Sequence, residues 1–181
     1  MYDLSRLGSC GEDVYISENV EIKRPYLVNI GSHIAIDSYF YCTANLRTGD
    51  YVHIASMVSI IGGVNASLFI GNFCTIAAGC RILCASDNFS GDGLVTAPGI
   101  PKEFLNGISF MPIFMGDYSS LASNVVVTSG VKIGQGAVIG ANSYVNRDVP
   151  PWETWAGSPI RCLKYRPSKK MIDFGEKLKN G

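Results

Sequence analysis

The chain of 181 residues is poor in charge and in histidine. Only 17% of its residues are charged, with fifteen basic side chains balancing fifteen acidic ones. No net field is available to draw it to nucleic acid or to an anionic membrane surface. There are two histidines, His33 and His53, and the six cysteines (Cys10, Cys42, Cys74, Cys80, Cys84, Cys162) include no C-x-x-C pair. A zinc centre is poorly supplied by that set, so no metal is expected and the cysteines are read as free, buried thiols. No apolar run approaches the roughly 18 residues of a membrane span, and the opening MYDLSRLGSC lacks the basic-then-apolar order of an export signal. These absences predict a cytoplasmic protein with neither nucleic acid nor membrane as partner.

What is present is hydrophobic, at 47% of the chain, enough for one compact domain with its own core. The apolar residues recur with a period of six, as in IGSHIA, IDSYFY, CTANLR, TGDYVH and IASMVS from Ile30, then IGNFCT and IAAGCR, and again MGDYSS, LASNVV, VTSGVK, IGQGAV and IGANSY. Period two marks a half-buried strand and period 3.6 a helix; a period of six marks a short strand plus a turn, repeated so that every sixth side chain points to one axis. Three such strands close a coil of about eighteen residues, and stacked coils pair in parallel. The frame predicts an all-β solenoid over 1–166, with an irregular first coil before Pro25. Residues 85–113, rich in Gly, Pro and Asn, form a protruding loop, and 167–181 form a short helical tail that covers the last coil. A long excursion in a strict solenoid is usually functional. His53, sixth in its hexad, points outward.

The segment GVKIGQGAVIGANSYVNRDVPPWETWAGSPIRCLKYR, residues 130–166, resembles the closing segment of acetyl-CoA-dependent sugar and antibiotic acetyltransferases of the hexapeptide-repeat family. The stretch from RPYLVNIGSHIAIDSYFY to SDNFSGDGLVTAPGIP is most similar to the branch that acetylates nucleotide-linked amino sugars. The resemblance implies a left-handed parallel β-helix, a homotrimer, and acetyl-CoA as co-substrate in the groove between two subunits. It places Ser123 and Ala141 where small side chains admit the pantetheine arm. It places Asn146, Arg147, Arg161 and Lys164 near the phosphates and adenine, where guanidinium and ammonium groups suit phosphate.

O-acetylating members place a histidine at the loop entrance, because a hydroxyl needs a base to take its proton. Here the frame puts Asp87 at that position. A neutral amine attacks a thioester with less help, needing chiefly orientation, removal of a proton and a donor for the oxyanion. The resemblance therefore implies N-acetyl transfer to a nucleotide-linked (dTDP- or UDP-) amino-deoxy sugar, of the 4-amino-4,6-dideoxyhexose kind, for surface polysaccharide synthesis. Asp87 would orient the amine and His53 relay the proton, by direct attack; no cysteine has the partners of a nucleophile. Asn65 and Asn88 are candidates for sugar contacts. Tyr39, Phe40, Tyr41, Phe89 and Phe104 either stack on the acceptor or anchor the loop, and His33 is read as structural. Two rival readings stay open: O-acetylation with His53 as obligate base, and a non-catalytic β-helix scaffold.

Overall fold

The computed structural model describes residues 1–180. Its strands form three parallel sheets, the faces of a triangular prism, with six strands on the first face, eight on the second and six on the third, plus a separate two-stranded hairpin. Successive strands visit the faces in turn. The first coil is Ser9–Cys10, Val14–Ile16 and Glu21–Ile22, and the fourth is Ser67–Ile70, Thr75–Ile76 and Arg81–Leu83. Six coils are complete, and a seventh begins with the Ile133↔Val149 bridge and Glu153–Ala156. The chain then reverses, and Arg161–Tyr165 closes the second sheet as an antiparallel edge.

The leading hexad residues line the interior. Ile36, Ile54, Ile60, Ile76, Ile82, Val127 and Ile139 are fully buried, and burial of such a side chain contributes about 1.5–3 kcal/mol. Phe40 is interior as well, 1% exposed. Cys42, Cys74, Cys80 and Cys84 share the core, whereas Cys10 is half-buried and Cys162 exposed. The expectation that all six thiols are buried thus fails at the two chain ends, where the coils stop. Burial pushes the Cys42 and Cys84 thiols up to about 12.

The edge between the first and second faces is built on residues in the left-handed region: His33, Tyr51, Phe73, Tyr118 and Trp152 have φ of 58–62°. Their rings stack with centroids 4.5, 4.8, 5.1 and 6.1 Å apart, close to the about 4.8 Å rise between stacked strands. Gly136 occupies the sixth-coil place in this ladder. A Cβ there would lie 2.2 Å from Trp152 Cε3, so its bare backbone is what lets the indole fold back towards Tyr118. His33 belongs to this ladder: it stacks on Tyr51, and its Nδ1 lies 2.9 Å from Asp13 Oδ2.

The first coil pairs in parallel on all three faces with its neighbour, and its irregularity is confined to the turn at Pro25–Leu27 that follows it. One expectation about the ends is corrected. The helix Lys169–Asn180 does not lie across the last coil. It runs back along the aromatic ladder, where Gly175 abuts Tyr118 Oη and Lys179 Nζ stands 5.7 Å from the Phe73 ring centroid. No helix among the described residues is long and apolar enough to cross a membrane.

Candidate active site on the interrupted edge

Pairing registers locate every departure from the repeat. Partners are 18 residues apart between coils two and three and between coils five and six. They are 20 apart between coils one and two, 22 between three and four, 45 between four and five, and 16 between six and seven. Within each pair of coils the offset is the same on every face that pairs. Every change therefore falls where a third-face strand gives way to the next first-face strand. One edge of the prism carries residues 23–27, 62–66 and 84–112 together.

A hollow of about 560 Å³ opens on the third-face side of this edge. Lys23 and Arg24 of the first coil line one end, Tyr41, Thr43 and Ile61 the middle, and Ser86 and Asp87 the loop end. Asp87 ends Ala85–Asp87, which pairs antiparallel with Ile108–Phe110, Asp87 opposite Ile108. Its Oδ1 accepts the Thr96 N–H at 2.8 Å, and hydrogen bonds from Thr96 hold the carboxyl below its ordinary value. Asp87 and Ile108 also line a second hollow, of about 440 Å³, with Asn88, Phe89, Asn106 and Ser129. A carboxylate that stays ionised thus stands where two hollows meet, suited to orient an amine brought from one side towards an electrophile brought from the other.

The chain does not bring His53 to Asp87. His53 points outward from Val52–Ile54 on the second face, as its phase requires, with Thr75 and Ala35 as cross-strand neighbours. Its Nε2 donates to Asp37 Oδ2 at 3.0 Å, and it lines a separate hollow with Tyr15, His33, Tyr51 and Phe73. Asn65 is exposed on the four-residue insertion but lines neither hollow at the loop. Asn88 lines the second hollow, yet its Oδ1 already accepts the Ser90 N–H at 3.0 Å and its carbonyl accepts Asn106 Nδ2 at 2.9 Å. Burial removes Phe40 from any substrate contact. Tyr41 lines the first hollow, Phe89 the second, while Tyr39 stands on the edge between the second and third faces.

Ser123 and Ala141 stack one coil apart on that second–third edge, the Asn142 N–H donating to Ser123 O at 3.0 Å. Arg161 pairs with Ala156 at the end of the same edge, and Lys164 pairs with Thr154 on the second face. Asn146 and Arg147 follow Tyr144–Val145 and so lie on the loop edge, across the third face from the others. Among the described residues no three His, Cys, Asp or Glu side chains converge on a metal-sized site. Lys23 and Arg24 carry no signal in the hexad pattern, because they precede its first clear repeat; the register of 20 in the first coil is what marks them.

Known proteins are similar along most of the chain. The family profile "Bacterial transferase hexapeptide (six repeats)" matches residues 112–147. A dTDP-4-amino-4,6-dideoxy-D-glucose acyltransferase of Escherichia coli is 28% identical over 169 residues, 92% of this chain and 85% of that protein. A "Probable macrolide acetyltransferase" of Lysinibacillus sphaericus is 34% identical over 124 residues, 64% of this chain and 69% of the relative. The crystal structure of AntD, an N-acyltransferase from Bacillus cereus in complex with dTDP and 3-hydroxybutyryl-CoA, matches with a TM-score of 0.89 and 27% identity, over 97% of this chain and 92% of AntD. A variant of AntD was crystallised with dTDP-4-amino-4,6-dideoxyglucose and coenzyme A. With its repeat, its register and these likenesses, the chain belongs to the bacterial hexapeptide-repeat transferases.

Proposed function

We propose that the protein is an acetyl-CoA-dependent N-acetyltransferase of a nucleotide-linked amino-deoxy sugar, a dTDP- or UDP-4-amino-4,6-dideoxyhexose destined for surface polysaccharide. It works in the cytoplasm as a homotrimer. One observation carries the reading: the chain matches, over 97% of its length, an N-acyltransferase whose complexes hold a dTDP amino sugar and coenzyme A. The position of Asp87 between two hollows fits that chemistry.

The sugar nitrogen attacks the thioester carbonyl carbon, the C–S bond breaks, and coenzyme A leaves as the thiol while the nitrogen gives up a proton. Asp87 orients the amine and stabilises the positive charge that develops on nitrogen. Held below the ordinary carboxyl range by Thr96, it is a weak proton store, so the proton passes on to the leaving thiolate or to solvent. Asn88 contacts the substrate through its amide nitrogen, and Asn65 does so at the rim. Ser123 and Ala141 flank the pantetheine arm, with Arg161 and Lys164 towards the phosphates and Asn146 and Arg147 across the third face. His53 plays an auxiliary part, since Asp37 already engages its ring. The test is thiol release from acetyl-CoA with dTDP- and UDP-linked amino sugars beside hydroxyl acceptors of the galactoside and antibiotic kinds. Turnover confined to hydroxyl acceptors rejects the reading, and absence of both turnover and coenzyme A binding leaves a scaffold.

A further inference from the structure

The balanced charge of the whole chain conceals a separation along the prism. Residues 161–181 carry seven lysines and arginines against two acids, whereas residues 1–160 carry eight against thirteen. The basic excess sits where the coils stop. Arg161–Tyr165 is the last strand of the second sheet, and all five of its residues are exposed. Leu163 and Tyr165 stand 64% and 77% exposed, with Arg161 and Lys164 set among them. The helix starts at the same end: Arg166 Nη1 donates to Gly136 O of the sixth coil at 2.6 Å, and Gly175 abuts Tyr118 of the fifth. At about 1.5 Å per residue the exposed Lys169 and Lys170 lie roughly 8 Å beyond Gly175, nearly two coil steps towards the end.

We infer that this C-terminal end of the prism is a docking surface for an anionic lipid bilayer, on which the protein lies peripherally. Lysines and arginines answer the negative potential of the headgroups, and each near the surface adds to the attraction. Leucine and tyrosine set among them suit the boundary between headgroups and acyl chains. A nucleic acid would engage the cations but give no burial to Leu163. A second copy set end to end can pair with the open backbone edge of the last strand, but two identical basic ends oppose one another. The protruding loop also exposes apolar side chains, Phe89 and Phe104 among them, yet residues 85–113 carry three acids and one lysine, the wrong sign for such a surface.

Docking by the end leaves the hollows beside Asp87, which follows the fourth coil, open to solvent. In the homotrimer proposed above, prisms packed side by side about a threefold axis present three such ends on one side of the assembly. Three weak anchors on one particle then act together. That gain rests on the proposed homotrimer; the surface itself belongs to each chain.

The test is co-sedimentation of the full chain with vesicles of phosphatidylcholine containing about 30% phosphatidylglycerol, beside vesicles of phosphatidylcholine alone, at about 0.1 M and about 0.5 M salt. The parent should bind the anionic vesicles at least about tenfold more tightly than the neutral ones and lose most of that advantage at the higher salt. Lys169→Gln combined with Lys170→Gln should weaken binding about ten- to thirtyfold, and Leu163→Ser combined with Tyr165→Ser about tenfold or more. Arg161 and Lys164 stay unchanged, so that lipid and coenzyme A are tested apart. Phe104→Ser on the loop should leave vesicle binding as it is, and millimolar glycerol phosphate should not displace the protein, which separates a lipid surface from a free phosphate. All four substituted end residues are exposed, so the fold should hold; if the strand loosens in the Tyr165 variant, the lysine pair carries the test. No binding by the parent, equal binding to neutral vesicles, or binding unchanged in both folded double variants overturns the assignment. Capture of duplex DNA as tight as that of anionic vesicles assigns the end to nucleic acid instead, and doubling of the assembly without lipid assigns it to a second copy; either rejects the inference. Thiol release measured alongside reads the reaction separately: vesicle binding by a parent that transfers no acyl group supports the surface and rejects the reaction, and turnover without vesicle binding does the reverse.

Discussion

Asp87→Asn is the most informative substitution. Asparagine keeps an Oδ1 that can accept the Thr96 N–H now bonded at 2.8 Å, so the loop fold should survive while the charge is removed. A positioned acid–base group contributes about 10²–10⁴ in rate. Asp87 belongs at the lower end, because the hydrogen bonds that lower its pKa also lower its basicity. We expect kcat to fall about a hundredfold, with acceptor and acetyl-CoA KM values within about threefold, in a thiol-release assay at saturating acyl donor. The acid limb of the pH–rate profile should follow the substrate amine, since Asp87 is ionised throughout the working range. His53→Asn should cost less than about tenfold, its ring lying on another face and bonded to Asp37. If Asp87→Asn stayed within threefold of the parent while His53→Asn fell a hundredfold, the two residues would exchange roles and the charge argument would be wrong.

Gly136→Ala should destabilise the fold by about 2–4 kcal/mol, combining overpacking against Trp152 with a left-handed backbone at φ 66°. Calorimetry should show Tm lowered by roughly 4–16 °C, and Trp152→Ala should remove part of the penalty in a double-mutant cycle; an unchanged Tm refutes the ladder. Alkylation of the native protein should modify Cys162 quickly and Cys10 slowly, sparing Cys42, Cys74, Cys80 and Cys84 until unfolding. Cys162→Ser should keep kcat within about twofold, and its inactivation would revive a covalent route. The lowered Asp87 pKa stabilises the loop above the ordinary value of 3.8, and that contribution disappears as pH falls through the lower folded value. Limited proteolysis should therefore cut within 85–113 below about pH 4 before the coils melt, and Asp87→Asn should abolish that dependence; cleavage with no pH dependence in the parent counts against it.

Much of the fold was legible because a solenoid repeats its packing problem. Ile54, Ile60, Ile76 and Ile82 lead their hexads and are all fully buried. Phe40 shows what reading only the leading residue misses. Ile34, Phe40, Leu46, Val52 and Val58 all stand fifth in their hexads, and all are buried. The hexad thus has two inward places flanking an outward sixth, and the same rule puts Cys74 and Cys80 inside. The first coil escaped because the inserted turn at Pro25–Leu27 lengthens its repeat to 20 and shifts its apolar residues out of phase. The helix was misplaced for a different reason: its sequence shows an apolar side, but not that Gly175 gives it a close seat against Tyr118.

The site was less legible because phase tells inside from outside but not which face. Faces recur every third hexad, and His53 falls on the second whereas the loop leaves after the third. Counting hexads modulo three separates the two residues from the amino-acid order alone. The same count gives the strongest argument that the interrupted edge is functional. Loops tolerated for want of selection would be spread over all three edges, since each corner is equally a surface turn. Instead every departure from 18 falls on one edge, in coils one, three, four and six. A straight prism has no concave surface, and a single inserted corner yields only a bump. Insertions aligned on one edge, with the register kept on the faces between them, wall off a hollow running along the axis. That puts Lys23 and Arg24 in line with Asp87, although more than sixty residues separate them in the chain.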